Sequence, residues 1–265
     1  LEQLMLIPGL CGHEGRVRRH IARELKALGV EYWSDRLGNL IETIEGTKGA
    51  PEIMLYAHMD QLGLIVRKIE SNGLIRVERV GGVPERALAS QEVLLCVGEG
   101  KDVPGIIANK SHHATTPDEK YKVIPYQELY IDAGFSSADD VLKAGIDIGT
   151  PVVYRPHCVK LADDRIAGTS IDDRAGCAVV LEVARAIADL ARDSLLGGAK
   201  RPDGQGRQRL TGDGNMRLVA RRQPGFAGQH RKRGRLALRR WGNGWTQRRG
   251  HRAGAHCHRT VDAVD

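Results

Sequence analysis

The chain of 265 residues has no stretch approaching the roughly 18 consecutive apolar residues that a membrane span requires. Its five cysteines, Cys11, Cys96, Cys158, Cys177 and Cys257, form no C-x-x-C pair, so neither a zinc knuckle nor a disulfide framework is indicated. The N-terminus, which opens on Leu1, lacks the basic segment and apolar core of a secretory leader. These absences predict a cytoplasmic home. No internal repeat is found in the first 190 residues.

The sharpest deficit is local. Residues 191–265 contain no Glu, no Ile and no Tyr, and no apolar period of 2 or 3.6 persists there. They hold 16 Arg and 2 Lys against 5 acidic residues, a net of +13, whereas residues 1–190 hold 22 basic against 28 acidic, a net of −6. The formal charge of +7 and the pI near 9.3 therefore belong to the tail. Such a segment cannot bury enough apolar surface to offset its chain entropy, which predicts an aberrant or disordered C-terminal part. Two origins fit it. One is an Arg/Gly-rich arm for nucleic acid. The other is a GC-rich gene read out of frame, where Arg and Gly codons dominate; this also accounts for the abrupt loss of Glu, Ile and Tyr and is the preferred reading.

What is present, at 41% hydrophobic, suffices for one large or two ordinary domains. Val17, Ile21, Leu25 and Leu28 fall at helical spacing, and Gly29 is a natural stop, which predicts an amphipathic helix over residues 14–29. "DRLGNLIETIEG" reads as a turn and then a strand. The apolar run 53–57 reads as a strand buried on both faces. It emerges at His58 and Asp60, at the edge of the sheet, where open α/β sheets keep their sites. Asn72-Gly73 predicts a hairpin. From about Arg67 to Lys160 short β-like runs alternate with Gly, Pro, Asn and Asp, with one short helix near "SSADDVLKAG" capped by Ser136 or Ser137. Helical periodicity returns at "RAGCAVVLEVARAIADL", where Val179, Val183, Ile187 and Leu190 read as one face. An α/β pattern thus brackets a β-rich insertion.

Two groups carry chemistry. His58 is a candidate metal ligand and Asp60 a candidate orienter, because a ligating imidazole normally gives its other N–H to a carboxylate or carbonyl. By itself H-x-D also fits a plain hydrogen-bonded pair. Asp172 and Asp173 stand directly before a helix, where N-capping is the simplest use. One of them could cap while the other bridges two cations, which need an anion between them. The remaining candidates have plainer readings. His112-His113 falls in a loop of the insertion, and Glu14 of His13-Glu14 favours the dipole of the first helix. His256-Cys257-His258 would take a soft metal only adventitiously. The Arg clusters 231–240 and 248–252 would bind nucleic acid incidentally, at low salt.

The order of "IPGLCGHEGRVRRHI", "IMLYAHMDQLGLIVRKI", "YIDAGFSSADDVLKAGIDIGTPV" and "IAGTSIDDRAGCAVVLEVARAI" closely resembles the di-metal aminopeptidases that form tetrahedral dodecamers, also often labelled endoglucanases or cellulases. The likeness covers residues 1 to about 190. It implies an α/β fold, a zinc-peptidase-like αβα sandwich interrupted by a β-barrel-like insertion. Residues 1–66 and 161–190 would form the catalytic domain, 67–160 the inserted domain and 191–265 the tail. The resemblance implies His58 as a terminal ligand of one metal, Asp60 as its orienting carboxylate, Asp172 as the bridging ligand and Asp173 in support. The implied cofactors are two Zn²⁺ or Co²⁺ ions holding a water between them, and the implied substrates are peptides that lose N-terminal residues. The implied assembly is a homo-oligomer, a dodecamer in intact relatives.

Departures from the pattern matter as much. The family's Glu-Glu pair, which follows this helix and supplies a general base and a ligand, has no counterpart in the Glu-free tail. Asp203, Asp213 and the tail histidines lie in no family context, and Gln61 stands where many relatives have Glu. The resemblance therefore implies an aminopeptidase by descent whose present chain is incomplete. The rival from another class is a noncatalytic scaffold with a basic nucleic-acid-binding tail. A polysaccharide hydrolase follows only from the family's second label, since no pair of carboxylates flanking a sugar site can be placed.

Overall fold

A computed structural model describes residues 1–44, 53–196 and 216–221. Two helices open the chain, α1 (Glu2–Met5) and α2 (Gly15–Ala27). Val17, Ile21 and Leu25 recur every four residues and form the buried side of α2. Gly29, with φ of 73°, lets the chain leave the helix in a left-handed conformation that a side chain would oppose. Asp35 Oδ1 then accepts from the backbone N–H groups of Leu37 and Asn39, both at 2.9 Å, which turns the chain from β1 (Trp33–Ser34) into β2 (Leu40–Ile44). β3 (Ile53–His58) follows.

The insertion is a closed barrel of six strands. In chain order these are β4 (Gly63–Ile69), β5 (Ile75–Val80), β6 (Glu92–Leu95), β7 (Val103–Ala108), β8 (Tyr130–Asp132) and β9 (Pro151–Tyr154). Around the barrel they run β4-β5-β8-β7-β6-β9. The hairpin read at Asn72-Gly73 joins β4 to β5. Alternate residues face inward, so Leu64, Val66, Ile75, Val77, Leu95, Ile107, Ile131 and Val152 share one core. Each such burial contributes about 1.5–3 kcal/mol. Val141 of α3 (Ala138–Lys143) joins that core, and the helix is capped by Ser137, whose Oγ accepts from Asp140 N at 3.2 Å. Arg16 of α2 forms a two-pronged ion pair with Asp102 in the β6–β7 turn, with Nη2 at 2.7 Å from Oδ1, and so ties barrel to helix.

Past the barrel come the hairpin β10 (Cys158–Lys160) and β11 (Ile166–Gly168), the long helix α4 (Ile171–Leu196) and β12 (Met216–Arg221). The second sheet runs β1-β2-β12-β3, with β12 antiparallel to β2 and parallel to β3. Leu4, Val17, Ile21, Leu40, Ala57, Cys177, Leu181 and Ala184 form the second core, between this sheet and the helices. No described helix is long and apolar enough to cross a membrane.

Within the segment expected to be aberrant or disordered, Met216–Arg221 is a strand at the middle of the sheet, satisfying the backbone edges of both β2 and β3. Two expectations are corrected. β3 is not buried on both faces: Met54 and Tyr56 are 48% and 64% exposed, because helices cover one face alone among the described residues. The buried stripe of α4 is Arg174, Cys177, Leu181 and Ala184, while Val179 is exposed. The tail's Arg clusters, Asp203, Asp213 and His256-Cys257-His258 lie outside the described residues.

Candidate metal centre

His58 is the last residue of β3, delivered to the sheet edge by a strand whose Ala57 is packed in the core. Its ring nitrogens meet two carboxylates. Nδ1 lies 3.0 Å from Asp60 Oδ1, and Nε2 lies 3.1 Å from Asp172 Oδ1. Asp60 is buried, whereas the Asp172 side chain is 95% exposed. A proton on Nδ1, held by Asp60, leaves the Nε2 lone pair facing Asp172, which is the tautomer a metal-bound imidazole needs.

The start of α4 explains how two adjacent aspartates take different tasks. Asp172 (φ −86°, ψ 109°) and Asp173 (φ −121°, ψ 42°) are not helical, and the regular helix begins at Arg174. Asp173 turns inward: Oδ1 accepts from Gly176 N at 2.9 Å and Oδ2 from His58 N at 3.3 Å. It therefore caps the helix and anchors the strand end together. The Cys177 thiol donates to the His58 carbonyl at 3.3 Å, and burial pushes its pKa up to about 12, so it serves as a neutral clasp. Asp172 is left at the surface with the imidazole.

Two donors on one zinc, each at about 2.0–2.2 Å in tetrahedral geometry, lie about 3.4 Å apart. The 3.1 Å between Nε2 and Oδ1 is close to that spacing, so these side chains fit two positions of a coordination shell. Among the described residues no group of three or more His, Cys, Asp or Glu side chains could hold a metal ion. β12 ends at Arg221, whose backbone is in register with His58. An open groove of about 480 Å³ lies beside Asp172, lined among others by Leu62, Pro84, Tyr154, His157 and Ile171.

The other sequence candidates are elsewhere. His112 and His113 sit in a short 3-10 turn of the barrel's loop. Glu14 is at the N-cap position of α2, buried, with Oε1 accepting from Gly12 N at 2.7 Å. Sequence reasoning missed Arg174, which is fully buried. Its guanidinium donates to the carbonyls of Leu4 at 3.4 Å and Ile7 at 3.3 Å, and burial draws its pKa down to about 10 against the pull of Cys177, Asp60 and Glu14. A signal was available: starting the helical period at Arg174 yields the apolar positions 177, 181 and 184, with an arginine at the head of a core stripe. Gly176 was also missed, although a Cβ there would stand 2.4 Å from Asp173 Oδ1.

The family described as M42 glutamyl aminopeptidase matches residues 38–196. SgcX of Escherichia coli (strain K12) is 39% identical over 186 residues, 69% of this chain and 49% of that protein. Among solved structures, aminopeptidase APDkam598 from the archaeon Desulfurococcus kamchatkensis superposes with a TM-score of 0.69 at 31% identity, over 84% of this chain and 54% of that one. The Pyrococcus horikoshii TET1 peptidase, which can assemble into a tetrahedron or a large octahedral shell, superposes with a TM-score of 0.66 at 29% identity, over 83% and 58%. The chain spans about half the length of the curated relatives it matches. With more than half of its residues under one family description, and with the barrel-interrupted α/β architecture in common, the chain belongs to the M42 glutamyl aminopeptidase family.

Proposed function

We propose that the protein is by descent a metal-dependent aminopeptidase that removes N-terminal residues from peptides, with His58 and Asp172 as metal ligands and Asp60 as the orienter of the His58 ring. The observation that carries this reading is the convergence on one imidazole of Asp60, 3.0 Å from Nδ1, and Asp172, 3.1 Å from Nε2. Bound Zn²⁺ or Co²⁺ supplies a water of lowered pKa and polarises the peptide carbonyl. Toward that chemistry Asp60 keeps Nε2 available as a donor. Asp172, exposed, would offer its second carboxylate oxygen to a second cation. The groove lined by Leu62, Tyr154 and Ile171 receives the peptide beside them.

Residues 1–66 and 161–190 would then form the catalytic portion and 67–160 the inserted domain. Self-association into a homo-oligomer follows by likeness to the TET1 peptidase. The present chain has no Glu within residues 191–265 to act as the general base, so peptide turnover by it is expected to be negligible. Equilibrium dialysis against Zn²⁺ tests the ligand assignment. His58→Ala is expected to bind one zinc fewer than the unsubstituted chain and Asp172→Asn at least one fewer, and equal zinc content in either would overturn the reading. Sequencing the gene across the codons for Ala184 to Lys200 tests the descent: a one-base shift that opens a frame with a Glu-Glu pair is expected, and a confirmed frame favours the scaffold instead.

A further inference from the structure

The side chain of Asp172 is 95% exposed, with little of the described structure packed against it. Its position beside His58 must therefore come from the backbone on either side. On the C-terminal side Asp173 is fixed by Gly176 N and His58 N. On the N-terminal side stands Ser170, with φ of 63°, a left-handed conformation that is unfavourable for a side-chain-bearing residue. Ser170 Oγ donates to Gln61 Oε1 at 2.7 Å. Arg174 Nη2 donates to the same oxygen at 3.4 Å. A guanidinium can only donate, so the orientation of the Gln61 amide is decided: Oε1 must face Arg174 and Ser170.

Gln61 is itself immobilised. It is buried, its backbone N–H donates to Gly9 O at 2.9 Å, and its carbonyl accepts from Cys11 N at 3.2 Å. It directly follows Asp60, the residue that orients His58. We infer that Gln61 is a positioning residue: its side-chain oxygen holds Ser170 in the left-handed turn and thereby sets Asp172 against His58, locking the strand that carries one ligand to the turn that carries the other. The inference rests on the reading of His58 and Asp172 as metal ligands. What the position requires is an acceptor oxygen, which Glu also supplies. Glu would serve Arg174 as well: among the described residues the Arg174 Nε is buried without a hydrogen-bond partner and no carboxylate forms an ion pair with the guanidinium.

The test is a Zn²⁺ titration of the full chain followed on the His58 ring resonances by long-range ¹H–¹⁵N spectra, assigned with His58→Ala. Zinc held by tail histidines does not register in this signal. Gln61→Leu and Ser170→Ala are expected to raise the zinc midpoint about 10-fold, the lower range for loss of an outer partner of a metal ligand. Gln61→Glu, which keeps the acceptor oxygen, is expected to show a midpoint well below that of Gln61→Leu and close to that of the unsubstituted chain. Thermal melts of the same samples separate binding from folding, and Ser170→Ala keeps the test alive should Gln61→Leu fail to fold. An unchanged midpoint in Gln61→Leu or Ser170→Ala overturns the inference, as does a Gln61→Glu midpoint raised as far as that of Gln61→Leu. If the His58 resonances in the unsubstituted chain do not respond to zinc at all, the ligand reading itself fails, and the inference with it.

Discussion

Gly176→Ala puts two physical effects in opposition. Helix propensity alone favours alanine over glycine, by about 1 kcal/mol in a helix interior and less in a first turn. Against that, the new Cβ would stand 2.4 and 2.5 Å from the two carboxylate oxygens of Asp173. Carbon and oxygen settle no closer than about 3.3 Å, so the carboxylate must move by nearly 1 Å. That displacement breaks its bonds from Gly176 N at 2.9 Å and His58 N at 3.3 Å. Charge-assisted hydrogen bonds contribute about 1.5–3 kcal/mol each, and the longer one belongs at the lower end, so the pair amounts to about 3 kcal/mol. After the propensity gain the net loss is about 2 kcal/mol, which for a fold of this size lowers Tm by about 4–8 °C. Calorimetry or far-UV melts read it directly. In an Asp173→Ala background the same substitution should reverse sign and stabilise by about 0.5 kcal/mol, closing a double-mutant cycle. A Gly176→Ala protein that melts at or above the unsubstituted one would refute the account of Asp173 as joint cap and anchor.

Two further predictions concern groups away from the site. Glu42, buried on β2 with Oε2 lacking a hydrogen-bond partner among the described residues, has its pKa pushed from 4.5 up to about 7 by burial. A raised carboxyl pKa means that the native state holds its proton more tightly than the unfolded chain, so this contribution to stability is complete below about pH 4.5 and is lost as pH rises through about 7. Glu42→Gln should therefore gain on the order of 2–3 kcal/mol at pH 8 and little at pH 5 in urea titrations; parallel pH profiles for the two proteins would argue against it. In the β10–β11 hairpin, Asp163 and Asp164 take φ of 56° and 59°. This is the two-residue left-handed turn for which Gly is the usual second residue. Asp164→Gly should raise stability by about 0.5–1 kcal/mol, the left-handed cost less the extra entropy of glycine in the unfolded chain, and a lower Tm would contradict the assigned turn.

Local features were the legible ones. The Asn72-Gly73 hairpin, the α2 stripe and the Ser137 cap depend on neighbours a few residues away, and each stands where its pattern placed it. The site was legible in its parts, as H-x-D at a strand end and paired aspartates before a helix. That they meet, across 114 positions of chain, followed only from the resemblance. The face of α4 was misread because Val179 suggested a phase that Arg174 contradicts; a buried arginine is discounted by any reading that seeks apolar residues. β3 was misread because a run of apolar residues shows that a strand is hydrophobic and not how many layers cover it. β12 escaped notice because its apolar core is the three residues Leu218, Val219 and Ala220 between arginines. Strand formation there is decided by the two edges it joins, as β propensity commonly is.

The place of β12 also fixes an order of events as the chain leaves the ribosome. Met216 pairs with Ile53 across 163 positions, and the whole barrel is encoded between them. The barrel's strands are complete by Tyr154, so it can close while the sheet still waits for its middle strand. Until residue 221 has emerged, β2 and β3 keep open edges toward each other, and contacts of such long loop length form last. Synthesis thus passes through a stage with a finished barrel beside an unzipped sheet, the species most exposed to wrong strand pairing and to capture by chaperones.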